Sequence, residues 1–332
     1  MVVLTPAFFL VAAFATALCL TPLLRAVALR TERFGRPGDD GSVPIPPTGG
    51  LAIFLATFLL LPFSSLSIPA GLWIGTCGMA AIGFMDDVHP FSPVQKLGLQ
   101  IAAVGTAVGF GLRFAVVGHP VADALLTGVW LIWMCNAFNV LDMVDGLAAG
   151  VGAIAAIGLA GLGLVVHAPP VVILAAAMVG GFGGFLVYNA HPARIYMGDT
   201  GSLFAGFALG GMAVQVSQGL PGAQGMLCPL IVLGIPSFEA AFLCVVRRGK
   251  GLPIMRASRD HVAQRLVRMG YSVRGAVGRM YAMGGLLVFL GIAGAVGPVV
   301  ACWAVFGCTA ALAMWAGVRL AGVGMERDGE GV

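Results

Sequence analysis

Residues 129–146 read Val129-Trp-Leu-Ile-Trp-Met-Cys-Asn-Ala-Phe-Asn-Val-Leu-Asp-Met-Val-Asp-Gly146, an apolar run that passes directly into polar residues at every third position. In an α-helix each three-residue step turns the side chain by about −60°, so neighbouring polar residues touch while the ends of the series diverge. All four can converge only if the helix tightens or ends near Leu141 and a loop carries the last of them. The four residues are Asn136, Asn139, Asp142 and Asp145.

This polar series suits chemistry at the edge of a membrane. Amide and carboxylate oxygens with apolar side chains between them can hold a metal ion or a polar substrate there. The alternative is a hydrated helix terminus that is capped by Asp and Gly. The functional interpretation is favoured because Asn136 and Asn139 lie within or just below the membrane edge.

The composition identifies an integral membrane protein. Of the 332 residues, 59% are hydrophobic and 10% are charged, whereas soluble domains carry about 25% charged residues. The net charge of +4 predicts no nucleic-acid partner, because the basic residues lie in loops beside apolar spans, where they report orientation and contact anionic lipid. The seven cysteines form no CxxC pair and are interpreted as small buried hydrophobes rather than disulfides or metal ligands. The first apolar run is interpreted as a retained span rather than a signal peptide.

The hydropathy pattern predicts an all-α polytopic protein with about eleven transmembrane helices, each of about 20 mostly apolar residues. We find no internal repeat and no soluble domain, so residues 1–332 are expected to form a single membrane domain, and the longest polar stretch is the basic loop 247–279. The predicted spans are 6–27, 48–64, 68–85, 97–115, 121–140, 148–166, 170–188, 202–217, 226–246, 280–297 and 299–319.

The basic residues predict the orientation. One set of alternating loops contains Arg30, Arg33, Arg36, Lys96, Arg194, the run from Arg247 to Arg279, Arg319 and Arg327, whereas the other set contains essentially Arg113 alone. Positive charge marks the cytoplasmic side, so the N-terminus is expected outside the cell membrane and the C-terminus in the cytoplasm. The same parity places all the acidic motifs and His261 at the cytoplasmic face.

Two further motifs carry carboxylates. Gly83-Phe-Met-Asp-Asp-Val-His-Pro90 contains adjacent carboxylates, which repel unless Mg²⁺ or a phosphate-bearing partner compensates them; the alternative is a solvated helix end. Tyr188-Asn-Ala-His-Pro-Ala-Arg-Ile-Tyr-Met-Gly-Asp-Thr-Gly-Ser202 places Asp199 where a helix begins, which is either an anion site or a simple N-cap.

The basic loop 247–279 has arginines suited to bidentate phosphate recognition, although positive-inside orientation with lipid contact explains them as well. His261 is either a phosphate ligand, a base or merely solvated. Glu239 is an acid within a span and is therefore a functional candidate.

Together these motifs resemble the polyprenyl-phosphate N-acetylhexosamine-1-phosphate transferases, a family that also contains the phospho-N-acetylmuramoyl-pentapeptide transferase. The resemblance runs from about residue 36 to residue 272, and the predicted eleven spans resemble the branch that moves an N-acetylhexosamine 1-phosphate. It rests on Pro47-Thr-Gly-Gly-Leu-Ala-Ile-Phe, Gly83-Phe-Met-Asp-Asp, Asn136-Ala-Phe-Asn, Val144-Asp-Gly-Leu, Asn189 through Met197-Gly-Asp-Thr-Gly-Ser, Arg259-Asp-His and Arg265-Leu.

The resemblance implies a Mg²⁺-dependent transfer, with Mn²⁺ as an alternative cation, from a UDP-sugar to a polyprenyl phosphate lipid. It implies that Asp199 and Asn139 hold the metal and that Asp86 and Asp87 handle the lipid phosphate. It further implies catalytic or nucleotide-sugar roles for Asp142 and Asp145, and it allows a homodimer. The expected substrate-binding residues are Asn136, Asn139, Arg194, Arg259, His261 and Arg265.

The chain departs from the family pattern at three places. His261-Val-Ala-Gln264 stands where the family has His-x-His-His, Glu239 stands where a span usually carries Asp after Pro, and Arg36-Pro-Gly-Asp-Asp-Gly is more acidic than the family's basic run. Three alternatives stay open. A transporter would place its ionisable residues near the bilayer midplane, an intramembrane aspartyl protease would need two isolated aspartates in neighbouring spans, and a family member could have lost catalysis.

Overall fold

A computed structural model describes residues 5–31, 44–64, 68–253 and 260–325. All regular structure in these ranges is helical, and no strand occurs within them. Six helices are long and apolar enough to cross a membrane, or seven if one bent pair counts as a single span. The prediction of an all-α polytopic membrane protein is thereby confirmed, whereas the count of eleven spans stays a prediction.

The helices follow one another with short connections. They are α1 (Pro6–Arg30), α2 (Gly49–Phe58), α3 (Ala70–Val88), α4 (Pro93–Gly109), α5 (Pro120–Leu141), α6 (Leu147–Val165), α7 (Pro169–Asn189), α8 (Gly198–Ser217), α9 (Gln224–Val232), α10 (Gly234–Gly249), α11 (Val262–Arg268), α12 (Val273–Val296) and α13 (Val299–Ala321), with a 3₁₀ turn at Leu61–Phe63.

Three predicted segments differ from the structure. The second predicted span contains only the ten-residue helix α2. The ninth is broken into α9 and α10, which meet at 80°, because Pro236 has no N–H to donate to the carbonyl of Val232. The stretch 247–279 is not one loop: α10 continues to Gly249, α11 lies within the stretch, and α12 begins at Val273 after its N-cap Ser272.

Helix α8 forms the centre of the fold. Seventeen of its 20 residues are buried, and it packs against α3 and α5. Helix α3 crosses the first turn of α8 at Gly83, where an added Cβ would lie 2.3 Å from the carbonyl oxygen of Asp199. Only glycine allows so close an approach, and this crossing brings the end of α3 to the start of α8.

Helix α5 ends within the polar series. Helix α5 ends at Leu141, Asp142 is its C-cap, and Gly146 has a φ of 77° immediately before α6. A left-handed residue of this kind reverses the chain, and glycine adopts that conformation at little cost. The last polar residue of the series, Asp145, therefore lies in a turn rather than on the helix.

Candidate active site

The side chain of Asp87, at the end of α3, binds the start of α8 through hydrogen bonds. Its carboxylate accepts hydrogen bonds from the backbone N–H groups of Asp199 and Thr200, at 2.8 and 2.9 Å, and from Thr200 Oγ1 at 2.6 Å. A carboxylate at this place satisfies N–H groups that the first turn of a helix leaves free. Gly198, with a φ of 72°, makes room, since an added Cβ would lie 2.3 Å from the carbonyl oxygen of Pro47.

Asp86 and Asp199 share one cation. Lys96 Nζ lies 2.9 Å from Asp86 Oδ2 and 2.8 Å from Asp199 Oδ1. Asp86 also accepts a hydrogen bond from the backbone N–H of Phe91. Lys96 stands in the first turn of α4, whose capping box of Ser92 and Gln95 fixes the helix start.

The role of Lys96 was not predicted from the sequence, where this residue served only as a marker of orientation. The signal that could have found it is its place: a lone lysine nine residues after the Asp86-Asp87 pair, in the same short segment between two predicted spans. Lys96 keeps the two carboxylates close together by neutralising part of their charge.

Asn139 reaches the same carboxylate from α5. Its side-chain amide donates to Asp199 Oδ1 and, at 3.1 Å, to Ser202 Oγ. Asp199 lies in the first turn of α8, whose N-cap is Met197 and has no side-chain cap hydrogen bond. The alternative of a simple N-cap at Asp199 is therefore wrong, because its carboxylate faces Lys96 and Asn139 instead.

The other three residues of the polar series diverge from Asn139. Asn136 donates to Gln100 Oε1 at 2.8 Å, on the side of α4. Asp142 accepts a hydrogen bond from the N–H of Gly198 at 3.1 Å, and Asp145 accepts from the N–H of Ala193 at 3.0 Å. Desolvation raises the pKa of Asp142 well above its usual range; neighbouring carboxylates add to this, and the Gly198 hydrogen bond opposes it.

The segment between α7 and α8 is held from two sides. Asn189 accepts a hydrogen bond from the N–H of Gly146 and donates one to the carbonyl of Ile195. The N–H groups of Gly49 and Gly50 donate to the carbonyls of Tyr196 and Met197, at 2.9 and 2.8 Å. The motif Pro47-Thr-Gly-Gly therefore supports the Met-Gly-Asp motif through its backbone, which explains why two distant glycine-rich segments belong to one site.

Two cavities open beside the carboxylates. The first, which we call the Asp142 pocket, has a volume of about 240 Å³ and is lined by Asp142, Met143, Val144, Asp145, Asn189 and Tyr196. The second, the Lys96 pocket, has a volume of about 380 Å³. Its polar lining residues are Asp86, Lys96, Asn136, Asn139 and Arg247, and its apolar lining residues include Leu97, Trp133, Val140 and Leu243.

The predicted basic substrate ligands that the structure describes do not line either pocket. Arg194 is exposed, and its carbonyl accepts a hydrogen bond from Arg25. Arg259 lies outside the described residues. His261 is buried, and its Nδ1 lies 3.1 Å from Glu239 Oε1. The interpretation of His261 as a solvated loop residue is thus wrong, and Glu239 is its partner.

Arg265 is not brought to the carboxylates. Its side chain is 1% exposed, and it donates to the carboxylate of Asp260 and to the carbonyls of Leu320 and Val323 at the end of α13. Burial acts to raise the pKa of Asp260, but hydrogen bonds and charge from Lys250 and Arg265 outweigh it and hold the pKa below its usual value. A substrate contact would have to break these bonds, so the structure assigns Arg265 a structural place and does not support the predicted substrate contact.

Comparison with known proteins extends this picture. Residues 69–217, which run from the start of α3 to the end of α8, match the family model for glycosyl transferase family 4. A putative glycosyltransferase of Streptomyces coelicolor is 32% identical, over 97% of this chain and 78% of that protein. The decaprenyl-phosphate N-acetylglucosaminephosphotransferase of Mycolicibacterium smegmatis is 31% identical, over 81% of this chain and 77% of that protein.

A probable undecaprenyl-phosphate N-acetylglucosaminyl 1-phosphate transferase of Bacillus subtilis is 28% identical, over 81% of this chain and 79% of that protein. The family model covers all five predicted catalytic aspartates and Lys96. This chain belongs to glycosyl transferase family 4.

Proposed function

We propose that this protein transfers a sugar 1-phosphate, an N-acetylhexosamine 1-phosphate, from a UDP-sugar to a polyprenyl phosphate. An oxygen of the lipid phosphate forms a bond to the β-phosphorus of the donor, and the bond from that phosphorus to the bridging oxygen breaks. The products are a polyprenyl-diphospho-sugar and UMP. The relatives named above, described as transferases acting on undecaprenyl- or decaprenyl-phosphate, support this class of reaction.

The observation that carries the proposal is the meeting of three helices at Asp199. Asp199 stands at the start of α8, where α3 supplies Asp87, α4 supplies Lys96 and α5 supplies Asn139. Both substrates of the proposed reaction are anionic, so their phosphates need positive charge close by. Lys96 supplies such a charge at this point, and a divalent cation held by Asp199 and Asn139 would add to it.

The Lys96 pocket suits the lipid substrate. A polyprenyl phosphate has an apolar chain and a charged head, and the pocket is lined by apolar side chains as well as by Lys96 and Arg247. Asp86 is buried beside Lys96, where its carboxylate orients the lysine. This arrangement supports the roles that the sequence predicts for Asp86 in handling the lipid phosphate.

The Asp142 pocket suits part of the nucleotide sugar. Asp142 and Asp145, the last two residues of the polar series, line this pocket with their carboxylates. Such carboxylates accept hydrogen bonds from the hydroxyl groups of a sugar or ribose. Asp87 lines neither pocket, and its carboxylate accepts hydrogen bonds from Asp199 and Thr200; it acts by holding Asp199 in place.

Asp199 and Asn139 would hold the proposed Mg²⁺. Among the described residues, no group of three or more His, Cys, Asp or Glu side chains is placed to hold a metal ion. One carboxylate and one amide oxygen nevertheless fit Mg²⁺, which is commonly bound by one or two carboxylates together with waters and substrate phosphates. A rotation of the Asn139 amide would turn its oxygen toward Asp199, since amide orientation is assigned from hydrogen bonds. Bound Mg²⁺ would neutralise charge on the donor diphosphate.

The orientation of the chain follows from charge. We place the carboxylates and both pockets at the cytoplasmic face of the cell membrane, because the arginine- and lysine-rich segments lie on that side. The proposed eleven spans include the shorter helices beside the six that are long enough by themselves. This orientation gives a water-soluble donor and a membrane-embedded acceptor access to one site.

Release of UMP tests the proposed reaction. Purified protein in detergent is given polyprenyl phosphate, Mg²⁺ and, in turn, each of a panel of UDP-sugars. The expected result is UMP release that requires the lipid, the metal and one class of UDP-sugar together. Release without the lipid would indicate a hydrolase, and no release with any of the donors would contradict the proposed reaction.

A further inference from the structure

Two buried thiols face each other far from the carboxylates. Cys228 of α9 and Cys302 of α13 have their Sγ atoms 3.6 Å apart. Both residues are 0% exposed. They are 74 positions apart in the chain, so their contact is a product of the tertiary fold and not of local sequence.

Three helices converge at this pair. Gly294 of α12 lies against both sulfurs, since an added Cβ there would be 3.5 Å from each. One turn before Cys228, the side-chain amide of Gln224 donates to the carbonyls of Gly294 and Gly297, at 2.7 and 2.9 Å. Helix α9 therefore already holds the end of α12 and the turn that leads into α13.

Helix α13 has few attachments to the rest of the protein. Its buried residues are Cys302, in its first turn, and Leu320, in its last. The Leu320 end is held by Arg265, which donates to the carbonyls of Leu320 and Val323. At the other end, Cys302 against Cys228 is the corresponding attachment, so a covalent bond there would fix an otherwise loosely held helix.

The pair lies at the end of the protein opposite the carboxylates. Helix α8 starts at Gly198 beside the carboxylates and runs to Ser217, so the turn 218–223 that leads to α9 is at the other face. Helix α12 likewise runs from the side of α11 to the turn before α13. In the orientation proposed above, on which this step rests, the opposite face is extracytoplasmic, where disulfides form and persist.

We propose that Cys228 and Cys302 form a disulfide that joins α9 to α13. Each thiol loses its proton, one S–S bond forms, and the two electrons reduce the oxidant, which is a protein or small-molecule disulfide, to two thiols. The sulfurs must close from 3.6 Å to the bond length of about 2.05 Å. Because both thiols are buried in the folded protein, the exchange takes place before α13 docks.

Thiol trapping tests this bond. Membranes from cells that express the full chain are denatured in N-ethylmaleimide without reductant, and the digested protein is examined by mass spectrometry. We expect a linked pair of peptides that contain Cys228 and Cys302, which separates and accepts label only after reduction. Cys135, a single buried cysteine, is the matched control and is expected to be labelled directly. Direct labelling of both Cys228 and Cys302 without reduction would overturn the proposal.

A stability measurement gives a second readout. A reductant added to the denaturing protein should lower the thermal midpoint of the wild type and leave that of Cys302→Ser unchanged, and an equal response of both would overturn the proposal. Labelling of Pro221→Cys by a membrane-impermeant maleimide in intact cells reports the orientation separately, and absence of labelling would remove the basis of the proposal. None of these readouts depends on transferase activity, so failure of the proposed reaction would be recognised independently.

Discussion

The carboxylate of Asp87 accepts two hydrogen bonds from Thr200, one from the backbone N–H at 2.9 Å and one from Oγ1 at 2.6 Å. These two residues are 113 positions apart in the chain. Their contact sets the position of Asp199, whose carboxylate contacts Lys96 and Asn139. The geometry of the site thus depends on a residue that lines neither of the two pockets.

Substitution of Asp87 should reduce both stability and turnover. In Asp87→Ala, the first turn of α8 loses three acceptor contacts, so Asp199 is no longer held and catalysis falls by about a hundredfold or more, the usual effect of misplacing a group that stabilises the transition state. Turnover is measured per folded molecule, with the folded fraction determined by size-exclusion chromatography. Full turnover in Asp87→Ala would show that Asp199 is held by other contacts.

The matched control for Asp87 is Asp123. Its carboxylate accepts hydrogen bonds from the N–H groups of Val116 and Val117, in the turn before α5 and therefore at the other end of that helix from the polar series. Asp123→Ala should lower the thermal midpoint and leave turnover per folded molecule near that of the wild type. Loss of turnover in both variants would mean that the assay reports folding alone.

Removal of the shared cation should separate the two carboxylates. In Lys96→Met, Asp86 and Asp199 lose the ammonium group that lies 2.9 and 2.8 Å from them, so repulsion between the carboxylates increases and a phosphate ligand is no longer drawn in. We expect kcat to fall by about 10²–10³-fold, the range found for loss of one electrostatic donor. Lys250→Met, which breaks an ion pair with Asp260, is the control and should retain kcat. Similar losses in the two variants would argue against a role of Lys96 in the site.

The metal proposal predicts a change in cation dependence at Asn139. Asn139→Ala should raise the Mg²⁺ concentration for half-maximal rate by about 10–100-fold, the usual cost of a lost ligand or its support, whereas Asn139→Asp should retain an oxygen ligand and stay closer to the wild type. Asn136→Ala, which breaks the hydrogen bond to Gln100, is the matched control. Unchanged Mg²⁺ dependence in Asn139→Ala would remove this residue from the metal site.

Arg265 should matter for stability and not for chemistry. Loss of one partner of a buried ion pair costs about 3–5 kcal/mol, and the Arg265 guanidinium, at 1% exposure, binds Asp260 and the end of α13. Arg265→Ala should therefore lower the thermal midpoint while kcat per folded molecule stays near the wild-type value. Arg248→Ala, at an exposed arginine of α10, should change neither. A large fall in kcat without a change in stability would restore Arg265 as a substrate ligand.

The sequence was sufficient to predict the local features of the site. The three-residue spacing from Asn136 implied that the four polar residues could converge only if the helix tightened or ended near Leu141, and α5 ends at that residue. The prediction followed from geometry, because four polar residues at that spacing cannot share one helical face. The helical, polytopic character followed from the composition and the hydropathy pattern.

The contacts between distant segments could not be predicted in this way. That Asp87 would bind the start of α8 depends on the close crossing at Gly83, and no periodicity within α3 reports where another helix crosses it. Glu239 was predicted to be a functional candidate and His261 to be a phosphate ligand, a base or a solvated residue, and the two are buried against each other. Pairing of two polar residues in the interior is a property of the tertiary fold, which single segments do not encode.

The most direct test of the central claim follows the β-phosphorus of the donor. UDP-N-acetylglucosamine labelled with ³²P in the β-phosphate is incubated with polyprenyl phosphate, Mg²⁺ and either wild type or Asp199→Asn, both shown to be folded in detergent. We predict that the label moves into the organic-soluble lipid with the wild type and stays in the donor with Asp199→Asn. Label that remains in soluble UDP while sugar reaches the lipid, or equal transfer by the two proteins, would contradict sugar 1-phosphate transfer at the site formed by Asp199, Lys96 and Asn139.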